Sequence, residues 1–561
     1  MEKAAGSIPW EKKLPYNGNT DERKWEVYRM IPFLKKQGNK TVLMADGKPF
    51  VMLCGETHNS NSSTETAMDA ACRKAVALKL NSVIAPISWE LVEPEEGRFD
   101  FSTVDMVVGK AREYGLRLEL IWFGSWKNAQ CTYAPEWVKK DRERFRRAEM
   151  EQGKRCVSLY DGSMHYSTLS YLGEETMKAD AKAFHSVMQH IRRIDEGIYT
   201  VLMVQVENET GVMGAAREHS VLADRLYQGQ APEQLADYLR STTETMEPDV
   251  REAVSGGSSR GSWEECFGAC AEEIFSAYYT ARYVECVAKA GKEAYPLPLS
   301  VNCWLDQGGG PGDYPSGGPV ARMMEVWKFC APDIDIFAPD IYVRDFYRRC
   351  ESYQKNGNPL FIPETACHSY AGGRQLYTVG HYHGICFSPF GFEDMGEPFT
   401  AAQSVLFGVD VTDPALAAPQ DAEEYQRLNG YLQSMMFLAA PRLGSADMDA
   451  VSGEYGSQML TFYPYGFKMH TTNPFTGETN KQGAALVIRE SGDTFYVLAQ
   501  HCIIEAFSTD ETKCFLDYLA VEEGYFEGES WVCTLRRNGD EIAQIGFDKP
   551  ALMKFRLSVY D

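Results

Sequence analysis

The chain has 561 residues, which is too long for one hydrophobic core of ordinary size and suits a large domain with additional parts. Hydrophobic residues make up 44% of the chain and aromatic residues 12%, so a sizeable core can form. The formal net charge of −23 argues against nucleic acid as a partner, because binding phosphate groups requires a basic face.

The cysteines and the apolar segments indicate the compartment. The 15 cysteines are scattered without a Cys-x-x-Cys pair, which predicts neither a disulfide framework nor a zinc site. Free thiols in a reducing compartment are the simplest interpretation. No stretch approaches the roughly 18 apolar residues of a membrane span, and the first ten residues lack the apolar core of a signal peptide. We therefore expect a cytoplasmic protein without a membrane partner.

Strand and helix patterns alternate after a polar N-terminal extension at residues 1–40. Apolar strands that alternate with helices indicate a parallel sheet. Eight such strands favour an α/β fold, a (β/α)8 TIM barrel spanning residues 41–400. A doubly wound sheet is the alternative, but the glycine fingerprint usual after its first strand is missing. The predicted strands are 48–54, 81–86, 116–122, 199–209, 298–302, 334–340, 360–364 and 384–388.

Two further parts are predicted outside the regular alternation. More than 80 residues separate Glu209 from the fifth strand, far more than a normal loop. Their helix patterns predict a helical insertion at about 210–292. After residue 400 the pattern changes: we expect a helical linker region at 401–455 and a C-terminal antiparallel β-sandwich domain at 456–561, where period-2 runs dominate.

The fourth predicted strand ends on Asn208 and Glu209, and the seventh ends on Glu364. In a β/α barrel the carboxyl ends of the strands form the active-site face. Retaining glycoside hydrolysis needs two such carboxyl groups, one that protonates the leaving oxygen and one that attacks the sugar carbon. We assign Glu209 as the acid/base and Glu364 as the nucleophile. Glu207 has the same strand parity as Glu209 and remains a rival for the acid.

Other residues near predicted strand ends are candidates for substrate binding. Asn208 would donate to a sugar hydroxyl, and Tyr342 would donate to Glu364 and keep it ionised. Trp126 and Trp304 would stack on sugar rings, although core packing explains each of them equally well. The strand-spaced pair His381 and His383 lacks a third ligand, so no metal site and no cofactor are expected. The first strand adds two more candidates, Glu56 and Asn59.

Two sequence blocks resemble glycoside hydrolase family 35. Gln205-Val-Glu-Asn-Glu209 matches that family's Gln-x-Glu-Asn-Glu block, in which the last glutamate is the acid/base. The block from Trp89 to Phe101 resembles its Trp…Glu-Pro…Gly-x-Phe-x-Phe block after strand two. The resemblance covers roughly residues 40–400 and implies a β-galactosidase-like enzyme of the bacterial branch with a distinct C-terminal β domain. Some members of that branch act on galactosyl side chains of plant polysaccharides.

The chain departs from the family at three places. The family's Ala-Glu-Trp block after strand three is replaced by the stretch from Trp122 to Asn128. The first strand ends in Gly55-Glu-Thr-His-Asn59, where Ile-His-Tyr is usual. The surroundings of Glu364 lack the Glu-x-x-x-Gly-Trp pattern. These differences leave retaining catalysis intact and leave the sugar open.

Three hypotheses follow. The favoured one is a retaining exo-β-glycosidase, a β-galactosidase that removes terminal sugars from oligosaccharides or plant glycan side chains. The second keeps the glutamate pair in a β-glucosidase or transglycosylase that acts on β-gluco-oligosaccharides. The third, from another class, is a catalytically silent carbohydrate-binding protein, which would require one of the two carboxylates to be missing or misplaced. The expected partner is an oligosaccharide or glycoside, and a homo-oligomer remains open.

Overall fold

The computed structural model describes residues 30–151, 154–155, 167–306, 308–400, 403–404, 414–473, 475–542 and 544–561. Of the predicted N-terminal extension, residues 1–29 therefore lie outside the described part. The described chain begins with a small antiparallel sheet of β1 (Phe33–Gln37), β2 (Lys40–Ala45) and β3 (Lys48–Phe50). Asp46 and Gly47 both have positive φ, 50° and 75°, which suits the two-residue turn of a hairpin.

Eight parallel strands follow, and we refer to them as the ring. The pairing order is β11-β10-β9-β6-β5 in one group and β12-β13-β4 in the other. Parallel bridges join the two groups at both sides, between Glu56 and Ile84 and between Ile341 and Thr365. The ring strands are β4 (Met52–Leu53), β5 (Ser82–Ser88), β6 (Arg117–Phe123), β9 (Val201–Val206), β10 (Leu299–Trp304), β11 (Ile336–Asp340), β12 (Phe361–Thr365) and β13 (Cys386–Pro389).

The ring strands are buried on both faces because helices cover their outer side. Every residue of β5, β9, β11, β12 and β13 is buried, as expected for parallel strands within α/β layers. A hairpin of β7 (Glu149–Glu151) and β8 (Lys154–Arg155) lies between β6 and β9. The helices between ring strands outside the insertion are α1 (Glu65–Ala77), α2 (Trp89–Val92), α3 (Ser102–Glu113), α4 (Glu136–Lys140), α5 (Glu174–Asp195), α10 (Ala271–Ala294), α11 (Met324–Cys330), α12 (Phe346–Tyr353) and α13 (Ala371–Gly380).

The predicted insertion contains two kinds of helix. Four short helices follow β9: α6 (Val221–Tyr227), α7 (Glu233–Ser241), α8 (Pro248–Gly256) and α9 (Trp263–Phe267). The long helix α10 differs, because it packs along α5 in the layer outside the ring. A Cβ added at Gly291 would lie 2.2 Å from the ring of Phe184, so the two helices approach closely there. The additional structure over 210–292 is therefore α6 to α9, and α10 is a helix of the ring.

Short helices lead from the ring to the C-terminal domain: α14 (Pro414–Ala417), α15 (Ala422–Ser434) and α16 (Met436–Ala439). The domain has two antiparallel sheets, ordered β14-β17-β18-β23-β20-β21 and β15-β16-β19-β22. The first strand, β14, begins at Met448, so the sheet starts before the predicted boundary at 456. The strands are β14 (Met448–Ser452), β15 (Gln458–Phe462), β16 (Tyr465–His470), β17 (Ala484–Ser491), β18 (Thr494–Gln500), β19 (Cys502–Ser508), β20 (Phe515–Glu527), β21 (Ser530–Arg537), β22 (Ile545–Phe547) and β23 (Ala551–Tyr560).

The six-stranded sheet contributes to two separate cores. On β18, Phe495 and Val497 face the core between the two C-terminal sheets. The alternate residues Tyr496 and Leu498 belong to the core that includes the ring. Successive side chains of a strand point to opposite faces, so one sheet joins the C-terminal domain to the ring. No helix of the described residues is both long and apolar enough for a membrane span.

Candidate active site

The chain bends sharply where β9 ends. Strand geometry stops at Val206, and both Glu207 and Glu209 have positive φ, 62° and 46°. Non-glycine residues rarely adopt this conformation, and such backbone is enriched at functional sites. Alternation along the strand therefore does not decide where the two glutamates point. They lie in different surroundings.

Glu209 is held by one neighbour on β10 and one in the loop after β6. Its backbone N–H donates to the Asn302 side chain over 2.9 Å, and its carboxylate accepts from the amide of Asn128. The side chain is almost completely buried. Burial, and then the charge of Glu364, raise the pKa of Glu209 to about 7, against opposing effects of Lys127 and Asp340. Near neutral pH this carboxyl can therefore both donate and accept a proton.

Glu364, at the end of β12, receives hydrogen bonds on both carboxylate oxygens. The Tyr342 hydroxyl donates to Oε2 over 2.8 Å. The side-chain amides of Asn208 and Asn302 each donate to Oε1 over 3.4 Å. These three donors hold the carboxylate of Glu364 in one orientation. The structure thus brings Asn208, Tyr342 and both predicted glutamates together at the carboxyl ends of the strands.

Two additional carboxyl groups and one ammonium complete the cluster. Burial, followed by the charge of Glu364, raises the pKa values of Glu56 and Asp340 well above their ordinary range. Lys127 donates to the Asn208 side chain over 3.0 Å. Burial alone would lower the pKa of Lys127, but the charges of Glu364, Glu209 and other carboxylates raise it. A single buried cation thus faces four carboxyl groups in this cluster.

Glu207 belongs to a separate buried network. Its Oε2 accepts from the backbone N–H of Trp126 over 2.8 Å. Burial, and then the neighbouring charge of Asp180, raise its pKa well above the ordinary value. A Cβ added at Gly124 would lie 2.6 Å from Glu207 Oε1 and 2.7 Å from Asp180 Oδ1, so the two carboxyl groups lie beside the same glycine. Glu207 therefore holds the backbone at Trp126 and has Asp180, not Glu364, as its main neighbouring charge.

The two tryptophans that were predicted to stack on sugar rings are buried or partly buried in the structure. The Trp126 ring has 0% exposure because it packs edge-on against Tyr283, with ring centroids 4.7 Å apart. No face of this indole is exposed in the structure, and its stacking role stays a prediction. Trp304 ends β10, is partly buried and packs against the core. Asn59 is half-buried, and its Oδ1 has no hydrogen-bond partner among the described residues.

Sequence reasoning missed four members of the cluster. Asn302 and Asp340 lie in the final residues of β10 and β11, and Asn302 donates to Asp340 over 2.8 Å. Their signal was available, because each is a polar residue at the end of an apolar strand. Lys127 and Asn128 carried no such signal, since they follow β6 within an irregular loop. Among the described residues, no group of three His, Cys, Asp or Glu side chains has the arrangement of a metal site.

Comparison with known proteins finds one family match in the first half of the ring and one that lies mostly in the C-terminal domain. A family model described as Beta-galactosidase (Glyco_hydro_42) matches residues 57–239, and one described as Domain of unknown function (DUF5597) matches residues 426–547. A Beta-galactosidase of Xanthomonas manihotis is 29% identical over 189 residues, which are 33% of this chain and 27% of that protein. The chain therefore matches only about a quarter of this relative's length.

Solved structures give weaker likenesses. A β-galactosidase from Rahnella sp. R3 has 14% identity and a TM-score of 0.42, covering 70% of this chain and 57% of the other. A β-galactosidase from Marinomonas ef1 has 11% identity and a TM-score of 0.44, covering 70% and 62%. The matched family segment is β-galactosidase-like and includes Glu209, but it ends before Glu364. It is not a family 35 model, so the assignment to family 35 stays a prediction.

Proposed function

We propose that the protein is a retaining exo-β-glycosidase, with Glu209 as acid/base and Glu364 as nucleophile. The observation that carries the proposal is the contrast between the two carboxyl groups within one cluster. Burial raises the pKa of Glu209 to about 7, which suits a group that gives and takes a proton. Glu364 instead accepts from Tyr342 and from two amides, which suits a carboxylate held in position for attack.

The proposed reaction has two displacements. Glu364 attacks the anomeric carbon while Glu209 protonates the leaving oxygen, giving a covalent glycosyl-enzyme. Glu209 then removes a proton from water, which displaces Glu364 and restores the starting configuration. This mechanism requires carboxyl groups about 5–5.5 Å apart, and we predict that separation for Glu209 and Glu364. A measured separation above about 7 Å would contradict it.

We propose that the ring is a (β/α)8 barrel and that the two C-terminal sheets form a β-sandwich. The bridges at both sides of the ring support the first part, and the core shared by the two sheets supports the second. The sugar is proposed to be galactose, because the matched family segment and the Xanthomonas relative are described as Beta-galactosidase. The cytoplasmic location and a homo-oligomeric state remain predictions.

The deciding experiment follows hydrolysis of nitrophenyl β-galactoside, β-glucoside, β-fucoside and α-arabinoside. We expect the fastest release from the β-galactoside, and nuclear magnetic resonance should show the β-anomer as the first product. Preference for the β-glucoside, or transfer to an added oligosaccharide, would favour the gluco-active alternative. An α-anomer as the first product from a β-glycoside would reject the retaining mechanism. No release from any substrate would favour the silent binding protein.

A further inference from the structure

The helix that follows Glu364 is buried on all sides. Every residue of α13 is buried, whereas α3, another helix outside the ring, buries only one face. The six-stranded sheet covers the outer side of α13. A Cβ added at Gly380 would lie 2.4 Å from Leu486 on β17 and 2.6 Å from Ala450 on β14. The outer face of α13 is therefore covered by the C-terminal domain, whereas the outer face of α3 is exposed to solvent.

A buried ion pair joins α13 to the C-terminal domain. Arg374 lies on α13 with 1% of its side chain exposed, and Glu454 follows β14 with 15% exposed. The guanidinium donates from Nε and Nη2 to the two carboxylate oxygens of Glu454, each over 2.9 Å. Its Nη1 lies 3.0 Å from Nε2 of His368. This paired geometry is the strongest that an arginine and a carboxylate form.

The carboxylate of Glu454 also contacts a second helix outside the ring, α12. The hydroxyl of Tyr347, on α12, donates to Glu454 Oε1 over 2.7 Å. The guanidinium of Arg374 also lies 4.6 Å from the centre of the Phe346 ring, on the same helix. Glu454 thus connects α12, which follows β11, with α13, which follows β12. The residues that precede these helices include Tyr342 and Glu364, which hydrogen-bond to each other.

The segment between Glu364 and Arg374 is also held from outside the ring. The backbone N–H of Ser369 donates to the carbonyl of Ala418 over 2.9 Å. The N–H of Gln420 donates to the carbonyl of Cys367 over 2.8 Å, and the Gln420 side chain accepts from Gly372 over 3.0 Å. Residues 418–420 lie in the connection to the C-terminal domain. Contacts at both ends of the segment therefore come from the chain beyond the ring.

We propose that the C-terminal domain positions the nucleophile, with Arg374, Tyr347 and Glu454 as the positioning residues. None of the three belongs to the Glu209–Glu364 cluster, and they act through the segments that carry Glu364 and Tyr342. For catalysis this inference rests on the proposed glycosidase function. Its physical reason is that a buried guanidinium without its carboxylate is strongly unfavourable, so α13 shifts when the pair is broken. A displacement of about 1 Å at the reacting group costs on the order of 100-fold in rate.

The test compares two substitutions across the same interface. Glu454→Gln removes the charge that faces Arg374, at the end of α13 near Glu364. The matched control, Asp449→Asn, removes the carboxylate charge from the 2.8 Å hydrogen bond between Asp449 and His381, just beyond the other end of α13. This second pair is exposed. Both substitutions change one carboxylate to its amide. Asp449 lies on β14 and Glu454 in the turn that follows it, and both face the region of α13.

We expect Glu454→Gln to lower kcat by roughly 10- to 100-fold with little change in KM. Asp449→Asn should change kcat by less than about twofold, because a charge in an exposed contact contributes little. Hydrogen exchange followed by mass spectrometry supplies a readout that needs no activity. Residues 365–374 should exchange faster in Glu454→Gln than in the native protein, and at the native rate in Asp449→Asn.

Normal kcat and normal exchange in Glu454→Gln would overturn the proposal, and so would equal losses in the two variants. If Glu454→Gln does not fold, Tyr347→Phe, which removes a single hydroxyl, decides by the same criteria. If the native protein hydrolyses no glycoside, the glycosidase proposal fails. The exchange experiment still decides whether the C-terminal domain holds the segment in place.

Discussion

The ends of β9 and β12 present the same residue type in different surroundings. Glu209 is buried at a sharp bend, and its pKa is raised to about 7. Glu364 is the next-to-last residue of β12 and accepts hydrogen bonds from a tyrosine and two amides. In the proposed mechanism, neighbouring donors and charges, and not the residue type, therefore distinguish the acid from the nucleophile.

Removing the Glu364 carboxylate should have the largest effect. We expect Glu364→Ala to lower kcat by on the order of 10⁴-fold or more, because the first displacement loses its nucleophile. Azide or formate should partly restore activity on an activated aryl glycoside by filling the space left. The product should have inverted configuration, since only one displacement occurs. A near-normal rate, or a fluorosugar label on another residue, would remove Glu364 from this role.

A smaller and substrate-dependent effect is expected at Glu209. Glu209→Gln should lower the rate on natural sugars by roughly 10²- to 10⁴-fold, because their leaving oxygen requires a proton. Activated aryl glycosides should lose much less in the first step, since their leaving groups depart without protonation. Steady-state rates on substrates with graded leaving-group pKa values measure the difference. Equal losses across the series would show that Glu209 is not the acid.

The pH profile sharpens the comparison further. Glu209 must be protonated to act as acid, so kcat/KM should fall as pH rises through about 7. The charge of Lys127 lowers the pKa of Glu209. Lys127→Met should therefore move the alkaline limb to higher pH, whatever its effect on the maximum rate. A limb that stays in place or moves to lower pH would mean that another group controls it.

The smallest expected effect is that of metal removal. In the proposed mechanism the glutamate pair suffices for both displacements, so treatment with a chelator should leave kcat unchanged. The measurement is hydrolysis of an aryl β-glycoside before and after dialysis against the chelator. Complete loss of activity, restored by one added cation, would contradict the two-carboxylate mechanism.

Short-range patterns made the two glutamates predictable. Each follows an apolar strand within an alternation of strands and helices, and polar residues at such strand ends meet at one face of a parallel sheet. Tyr342 was found by the same argument. Asn302 and Asp340 could have been predicted in the same way, because each is a polar residue near the end of an apolar strand. Lys127 could not, because its loop has no periodicity, and the bend at Glu207 and Glu209 breaks the alternation on which strand parity depends.

The sequence by itself therefore determined the order of strands and helices, the change to period-2 patterns near the C-terminus, and the positions of Glu209 and Glu364 at strand ends. These properties depend on neighbours along the chain, whose spacing can be read directly. Only the tertiary structure decided that Trp126 packs inside the core, that Lys127 faces four carboxyl groups, and that Glu454 contacts Arg374. Burial and charge at these sites come from residues far apart in sequence, and no local pattern specifies which distant side chains meet.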